Sequence, residues 1–326
     1  MGTSMTRSAG HRAVPAKAWA AAGVCLALLG ALAAWFLLGR ETSSPCNGLA
    51  GDTRVQKSVG QDVHPGMSCP GLGQAIVNAT AGSEPGRHTQ AQAQAMKDVL
   101  FAVGFGQSKE LNLEPSLRVP IATALADYAP DLHEMLAGLD STYVTKADRN
   151  TPPWEAGGTH HLSVPTDVFR KSLRAIAMDP HAYALLRMAE TRTAAGQLAA
   201  VPADATGSER SLPPTKNARA LGILDGIADT ATSQEAQDAA KWHATVFERL
   251  LKEQADQAEP AGRLTTTWLQ ELKNTPEEQR AERLRTQGLD MARTWAQARN
   301  MDEPTRQDLL AKVEKSAHSA HEEVKH

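Results

Sequence analysis

Aromatic side chains are scarce in this sequence: Trp, Tyr and Phe together make up 4% of its 326 residues. A sheet sandwich draws on β-branched and aromatic side chains, so the shortage, with alanine as the favoured apolar residue, points away from β architecture and towards close-packed helices. No segment shows a sustained apolar–polar alternation, and the expected class is all-α. Clusters of basic residues are also missing. The formal net charge is −3, and setting aside the N-terminal cations Arg7, Arg12 and Lys17 leaves a mildly acidic chain with no footprint for nucleic acid.

Only three cysteines occur. Cys25 lies within an apolar run, while Cys46 and Cys69 flank the Gly- and Pro-rich stretch "PCNGLAGDTRVQKSVGQDVHPGMSCPG". In an oxidising compartment these two would form a disulfide, closing a loop worth roughly 3 kcal/mol in the chain-entropy picture. As zinc ligands they are too far apart, with only His64 between them.

What the sequence does have is one long hydrophobic segment. Ala18 to Gly39 is free of charge over about 22 residues, enough for a helix to cross a bilayer and longer than the apolar region of most signal peptides. Trp19 and Trp35 stand near its two ends, and the N-terminal cations precede it, so residues 1–17 are expected in the cytoplasm and residues beyond Arg40 outside. The alternative is an alanine-rich signal peptide cut near Ala31 to Ala33. Lipoprotein processing is disfavoured because Ser43, Ser44 and Pro45 precede Cys46. Gly23, Ala27, Ala31 and Ala34 form a small-residue stripe through which two such helices could pair as a homodimer.

Beyond the anchor, the pattern divides into a stalk at 40–87, a helical subdomain at 88–201, a polar linker at 202–214 and a long-helix subdomain at 215–326. Met96, Val99, Leu100 and Val103 share one helical face, and Phe169, Leu173 and Ile176 share another. A helix is expected to break at Ala129-Pro130, and Asp179-Pro180 reads as a cap followed by a first-turn proline. Thr275-Pro276-Glu277-Glu278 reads as a capping box. Residues 141–162 read as an irregular loop, and the chain as ending in a solvated tail carrying His318, His321 and His326.

Candidate chemistry is thin. His160 and His161 are the weak metal candidates, adjacent in "GGTHHLSVP" but without further ligands at metal-site spacing. Ser68 lacks the nucleophile-elbow pattern, "GFGQSK" from Gly104 lacks the phosphate-loop ending, and Glu277–Glu278 and Glu322–Glu323 read as helix-end groups. No catalytic residue, cofactor-binding motif or cofactor is indicated, and an enzyme is unsupported.

Three segments, "RVPIATALADYAPDLHEMLAG", "VPTDVFRKSLRAIAMDPHAYALLRMAE" and "LGILDGIADTATSQEAQDAAKWHATVFERLL", together resemble an uncharacterised all-helical actinobacterial family associated with WXG-like proteins of type VII secretion or polymorphic-toxin systems. The resemblance covers roughly Arg118 to Leu251, and its most specific mark is the turn at Asp179, Pro180, Ala182 and Tyr183. It implies packing and capping rather than catalysis. The expected protein is therefore a single-pass plasma-membrane protein that displays a helical module to an envelope or secreted protein. A metal-dependent or other hydrolase using the His160–His161 loop is the alternative.

Overall fold

The computed structural model describes residues 46–82, 84–105, 113–233, 239–253 and 260–325. Residues from Pro45 onward belong to one unit. Among the described residues no helix is long and apolar enough to cross a membrane, and the Ala18–Gly39 segment lies outside them.

The architecture is predominantly helical. In chain order the helices are α1 (Asn47–Ala50), α2 (Thr53–Val59), α3 (Cys69–Thr80), α4 (Gln90–Gly104), α5 (Pro115–Asp127), α6 (Ala129–Ala137) and α7 (Ser141–Thr145). A short antiparallel pair follows, β1 (Trp154–Ala156) and β2 (Thr159–His161). Then come α8 (Thr166–Ala177), α9 (Pro180–Ala200), α10 (Gly207–Ser233), α11 (Ala239–Leu250), α12 (Pro260–Asn274), α13 (Arg280–Arg285), α14 (Gln287–Ala298) and α15 (Glu303–Glu323).

Helix α9 is the axis of the fold. Asp179 accepts hydrogen bonds from the backbone N–H groups of His181 and Ala182, with Pro180 in the first turn, as the sequence suggests. The helix then buries residues all round, from Tyr183 and Leu186 to Met188, Ala195 and Leu198. A helix buried on most sides must be enclosed, and α5, α6, α8, α10, α11 and α12 pack around it.

The segment expected to be a stalk is instead part of this core. Val55, Leu72 and Ile76 are fully buried, and Cys46 and Cys69 form a disulfide across a Cα–Cα distance of 4.9 Å. The side chains of Asp52 and Ser68 cap α2 and α3. Of these helices α2 buries only Val55, while α3 buries Cys69, Leu72, Ile76 and Thr80 along one face within a stretch whose glycines and prolines resemble a linker. Nor does a linker separate two subdomains: α10 starts at Gly207 and continues through Pro213 and Pro214.

The longest seam joins α10 and α15. Gly222 and Gly226, one turn apart on α10, let the α15 backbone approach so closely that a Cβ on Gly222 would lie 2.4 Å from the Ala317 carbonyl oxygen. A Cβ on Gly226 would lie 2.7 Å from that of His321. The segment expected to fade into a polar tail is thus a docked helix through Glu323, started by Asp302, which accepts from the Thr305 N–H.

The capping box expected at Thr275 does not form. Its hydroxyl donates to the Glu271 carbonyl, and Pro276 opens a short 3₁₀ turn over Glu277–Gln279.

Candidate functional site

His160 and His161 lie on β2 of the hairpin that replaces the expected loop. Gly157 and Gly158, with φ of 58° and 79°, make the two-residue turn, a geometry only glycine adopts at no steric cost. Successive side chains on a strand point to opposite faces, and the two rings accordingly meet different partners. The His160 N–H donates to the His88 carbonyl at 3.0 Å, and the His88 N–H donates to the Thr159 hydroxyl at 2.8 Å. The His88 ring stacks on Tyr128 and lies 3.0 Å from Asp127 Oδ2.

His161 turns the other way. Its Nδ1 is 2.6 Å from Asp131 Oδ1, and its Nε2 is 3.3 Å from the Ala156 carbonyl oxygen. Tyr143 donates its hydroxyl to the same Asp131 oxygen, and the Leu162 N–H points at Asp131 Oδ2. Asp131 is almost completely buried. Its hydrogen bond to His161 raises the histidine pKa above the ordinary value, against the opposing effect of burial. Burial and the Asp131 charge push the Tyr143 phenol upward. The site is an Asp–His pair with both ring nitrogens engaged and the Tyr143 hydroxyl beside it. Among the described residues no group of three or more His, Cys, Asp or Glu is placed to hold a metal ion.

The loop leading into the hairpin is organised by one cation. Lys97 on α4 is 1% exposed, and its Nζ donates to the carbonyls of Lys146, Asp148 and Thr151 at 3.3, 2.8 and 2.7 Å. Three donors thereby meet three acceptors, while burial pushes the lysine pKa down to about 8, partly offset by Asp148 and Asp98. Lys97→Met removes all three bonds at once. It is expected to lower stability by about 2 kcal/mol and to speed amide exchange across residues 146–151, read by urea denaturation and hydrogen exchange. Unchanged exchange there would refute the assignment.

A second polar centre lies at the far side of α9. Arg187, fully buried, donates from Nε to Gln287 Oε1 at 2.7 Å and from Nη2 to the Leu284 carbonyl at 2.7 Å. Its Nη1 donates to Asp225 and to the Tyr183 hydroxyl. Asp225 and Asp229, one turn apart on α10, line a cleft of about 260 Å³, including solvent at its mouth, together with Tyr183, Trp242, His243 and Arg285. Burial pushes Asp225 up to about 6 even beside the guanidinium of Arg187. Burial likewise lowers His243, whose Nδ1 is buried without a partner. Asp229 is shared by His321 at 2.8 Å and Arg285 at 3.3 Å.

Asp225 can take up a proton at about pH 6, but the cleft is below the size of pockets that hold organic ligands. Sequence reading missed these groups. Asp225 and Asp229 at i and i+4 are ordinary on a surface helix, and their partners are far away in the chain. His321, read as part of a solvated tail, is in fact half-buried on Asp229; His326 lies outside the described residues.

The other candidate groups take structural roles. Ser68 caps α3, accepting from the Gly71 N–H, and Gly104 ends α4. Glu323 bridges Arg170 and Arg219 at 2.7 and 2.6 Å. A buried pair, His133 Nδ1 and Glu190 Oε1 at 2.7 Å, ties α6 to α9.

Compared with protein-family models, curated proteins and solved structures, the chain matches none. Its function is therefore read from its own residues.

Proposed function

We propose that the chain is a single-pass plasma-membrane protein that displays its helical unit outside the membrane as a module for binding another envelope or secreted protein. The observation that carries this reading is the position of the Cys46–Cys69 disulfide. It fastens the first described residue to α3 only a few residues after an apolar run long enough to span a bilayer, and disulfides persist in oxidising compartments. Residues 18–39 serve as the anchor, with residues 1–17 cytoplasmic, and the small-residue stripe within it offers a route to a homodimer. The ties that Lys97, Arg187 and the His133–Glu190 pair make between elements support a rigid scaffold rather than a catalyst. The resemblance over Arg118 to Leu251 makes secretion-associated proteins the partner class to test first.

Two results together test this. The chain is expected to stay with alkaline-washed membranes, and protease added to wall-stripped cells is expected to digest the helical unit. Recovery in the soluble fraction, or protection from protease until the membrane is broken, would reject the reading. In-cell cross-linking from surface lysines is then expected to give a discrete heteromeric adduct.

A further inference from the structure

We propose that His161 is a pH-sensitive latch, which as an imidazolium holds the hairpin against α6 by bridging the Asp131 carboxylate to the Ala156 carbonyl, and which releases β1 and its turn on losing a proton. The geometry carries this. Both ring nitrogens face acceptors, a carboxylate oxygen at 2.6 Å and a carbonyl oxygen at 3.3 Å, so both must donate for the two contacts to be favourable. A neutral ring keeps one proton. With that proton on Nδ1 facing Asp131, the Nε2 lone pair is turned towards the Ala156 oxygen and repels it.

The groups around the ring are few, and from α4, which packs against β2, the nearest titratable cation is Lys97, which holds the carbonyls of residues 146, 148 and 151 rather than the hairpin itself. From α6 come Asp131 and, at longer range, Glu134; from α7 comes the Tyr143 hydroxyl, 3.2 Å from Nδ1. From β1 come the Ala156 carbonyl and the Trp154 ring, over which Lys146 lies at 5.5 Å; Glu155 is paired across the hairpin with His160. His88, whose ring faces Asp127, holds β2 through backbone N–H and carbonyl groups. The β2 side therefore serves as the hinge and the β1 side as the part released. Residues Glu155 to Gly158 are already exposed at the tip, and opening would uncover the edge-to-face pair of Tyr143 and Trp154.

The sign follows from the Asp131 contact. A histidine whose folded-state pKa is raised contributes stability that is complete below its unfolded value and is lost as pH rises through the folded one. The latch is closed in mild acid and opens towards alkaline pH.

Hydrogen exchange of the full-length protein in detergent, corrected for the intrinsic pH dependence of exchange, tests it between about pH 5.5 and about pH 9. Amides of the hairpin are expected to lose about tenfold in protection through one midpoint, the scale of one charge-assisted hydrogen bond, while α9 stays unchanged. His161→Gln is expected to show the lower protection at every pH. A flat wild-type profile in the hairpin would overturn the latch, as would a His161→Gln protein that keeps the wild-type pH dependence. Should the variant fail to fold, Lys97→Met decides: it removes the neighbouring group that loses its proton at about 8 and is expected to leave the pH profile of the hairpin in place, and a profile that vanished with it would overturn the latch.

Discussion

Replacing Arg187 with methionine is expected to cost about 3–5 kcal/mol of folding stability, the scale for removing one partner of a buried ion pair. The guanidinium is fully buried and serves three other elements from α9, through Asp225 on α10, the Leu284 carbonyl on α13 and Gln287 on α14, and within α9 itself it meets the Tyr183 hydroxyl. Its loss takes the guanidinium donors away from the Asp225 carboxylate, the Leu284 carbonyl and the Gln287 amide oxygen in a region water scarcely reaches. Gln287 also donates to the Thr191 hydroxyl, so the disturbance passes along α9 by one turn. Urea denaturation measures the effect. In the double variant Arg187→Met, Asp225→Leu much of the loss should return, because the cost of the single change is mostly that of the stranded charge. A single-variant loss under about 1 kcal/mol would show that solvent reaches these groups and that the network does not hold the helices together.

Gly222→Ala is the second large effect, and its sign is the informative part. Alanine in place of glycine inside a helix normally stabilises by about 0.5–1 kcal/mol. At Gly222 the added Cβ would meet the Ala317 carbonyl oxygen at 2.4 Å, a backbone atom that moves only if α15 moves. The expected outcome is a loss of about 1–3 kcal/mol, with faster hydrogen exchange throughout α15. Gly196→Ala on α9 is the control, since nothing lies within 4 Å of its Cβ position; it should stabilise in the ordinary way. If Gly222→Ala also stabilised, the close seam between α10 and α15 would be wrong. The seam has further fastenings at its end, where Glu323 bridges Arg170 and Arg219 and His321 meets Asp229, so partial detachment should begin nearer Glu303 than Glu323.

These two sites also show where sequence reasoning reaches and where it stops. The helices whose caps and stripes are local were legible: Asp179-Pro180 opens α9, and the break at Ala129 separates α5 from α6. The first helices were hidden because α2 buries only Val55 and α3 lies in a stretch whose glycines and prolines resemble a linker. Each hairpin strand spans three residues, shorter than any alternation that could announce it. Pro213 and Pro214 read as a break, yet α10 continues through them.

The polar centres were the least legible. Arg187 meets Gln287 across 100 residues of sequence and His321 meets Asp229 across 92. No local spacing encodes such meetings. The Thr275 capping-box pattern shows the converse: the right residues at the right spacing, with the threonine hydroxyl taken up by the preceding turn. His160 and His161 were visible as candidates whose adjacent side chains diverge in an extended chain, but only the fold shows what each meets, one ring at the His88 carbonyl and the other at Asp131.

The central claim, a disulfide-fastened helical unit displayed beyond an anchoring segment, is tested most directly by the state of Cys46 and Cys69 in the native membrane. Cells are quenched in acid and free thiols alkylated, and the chain is isolated and digested without reductant before mass spectrometry. The account predicts a Cys46–Cys69 linked peptide, with neither cysteine alkylated until reductant is added. Full alkylation of both cysteines without reduction would contradict it.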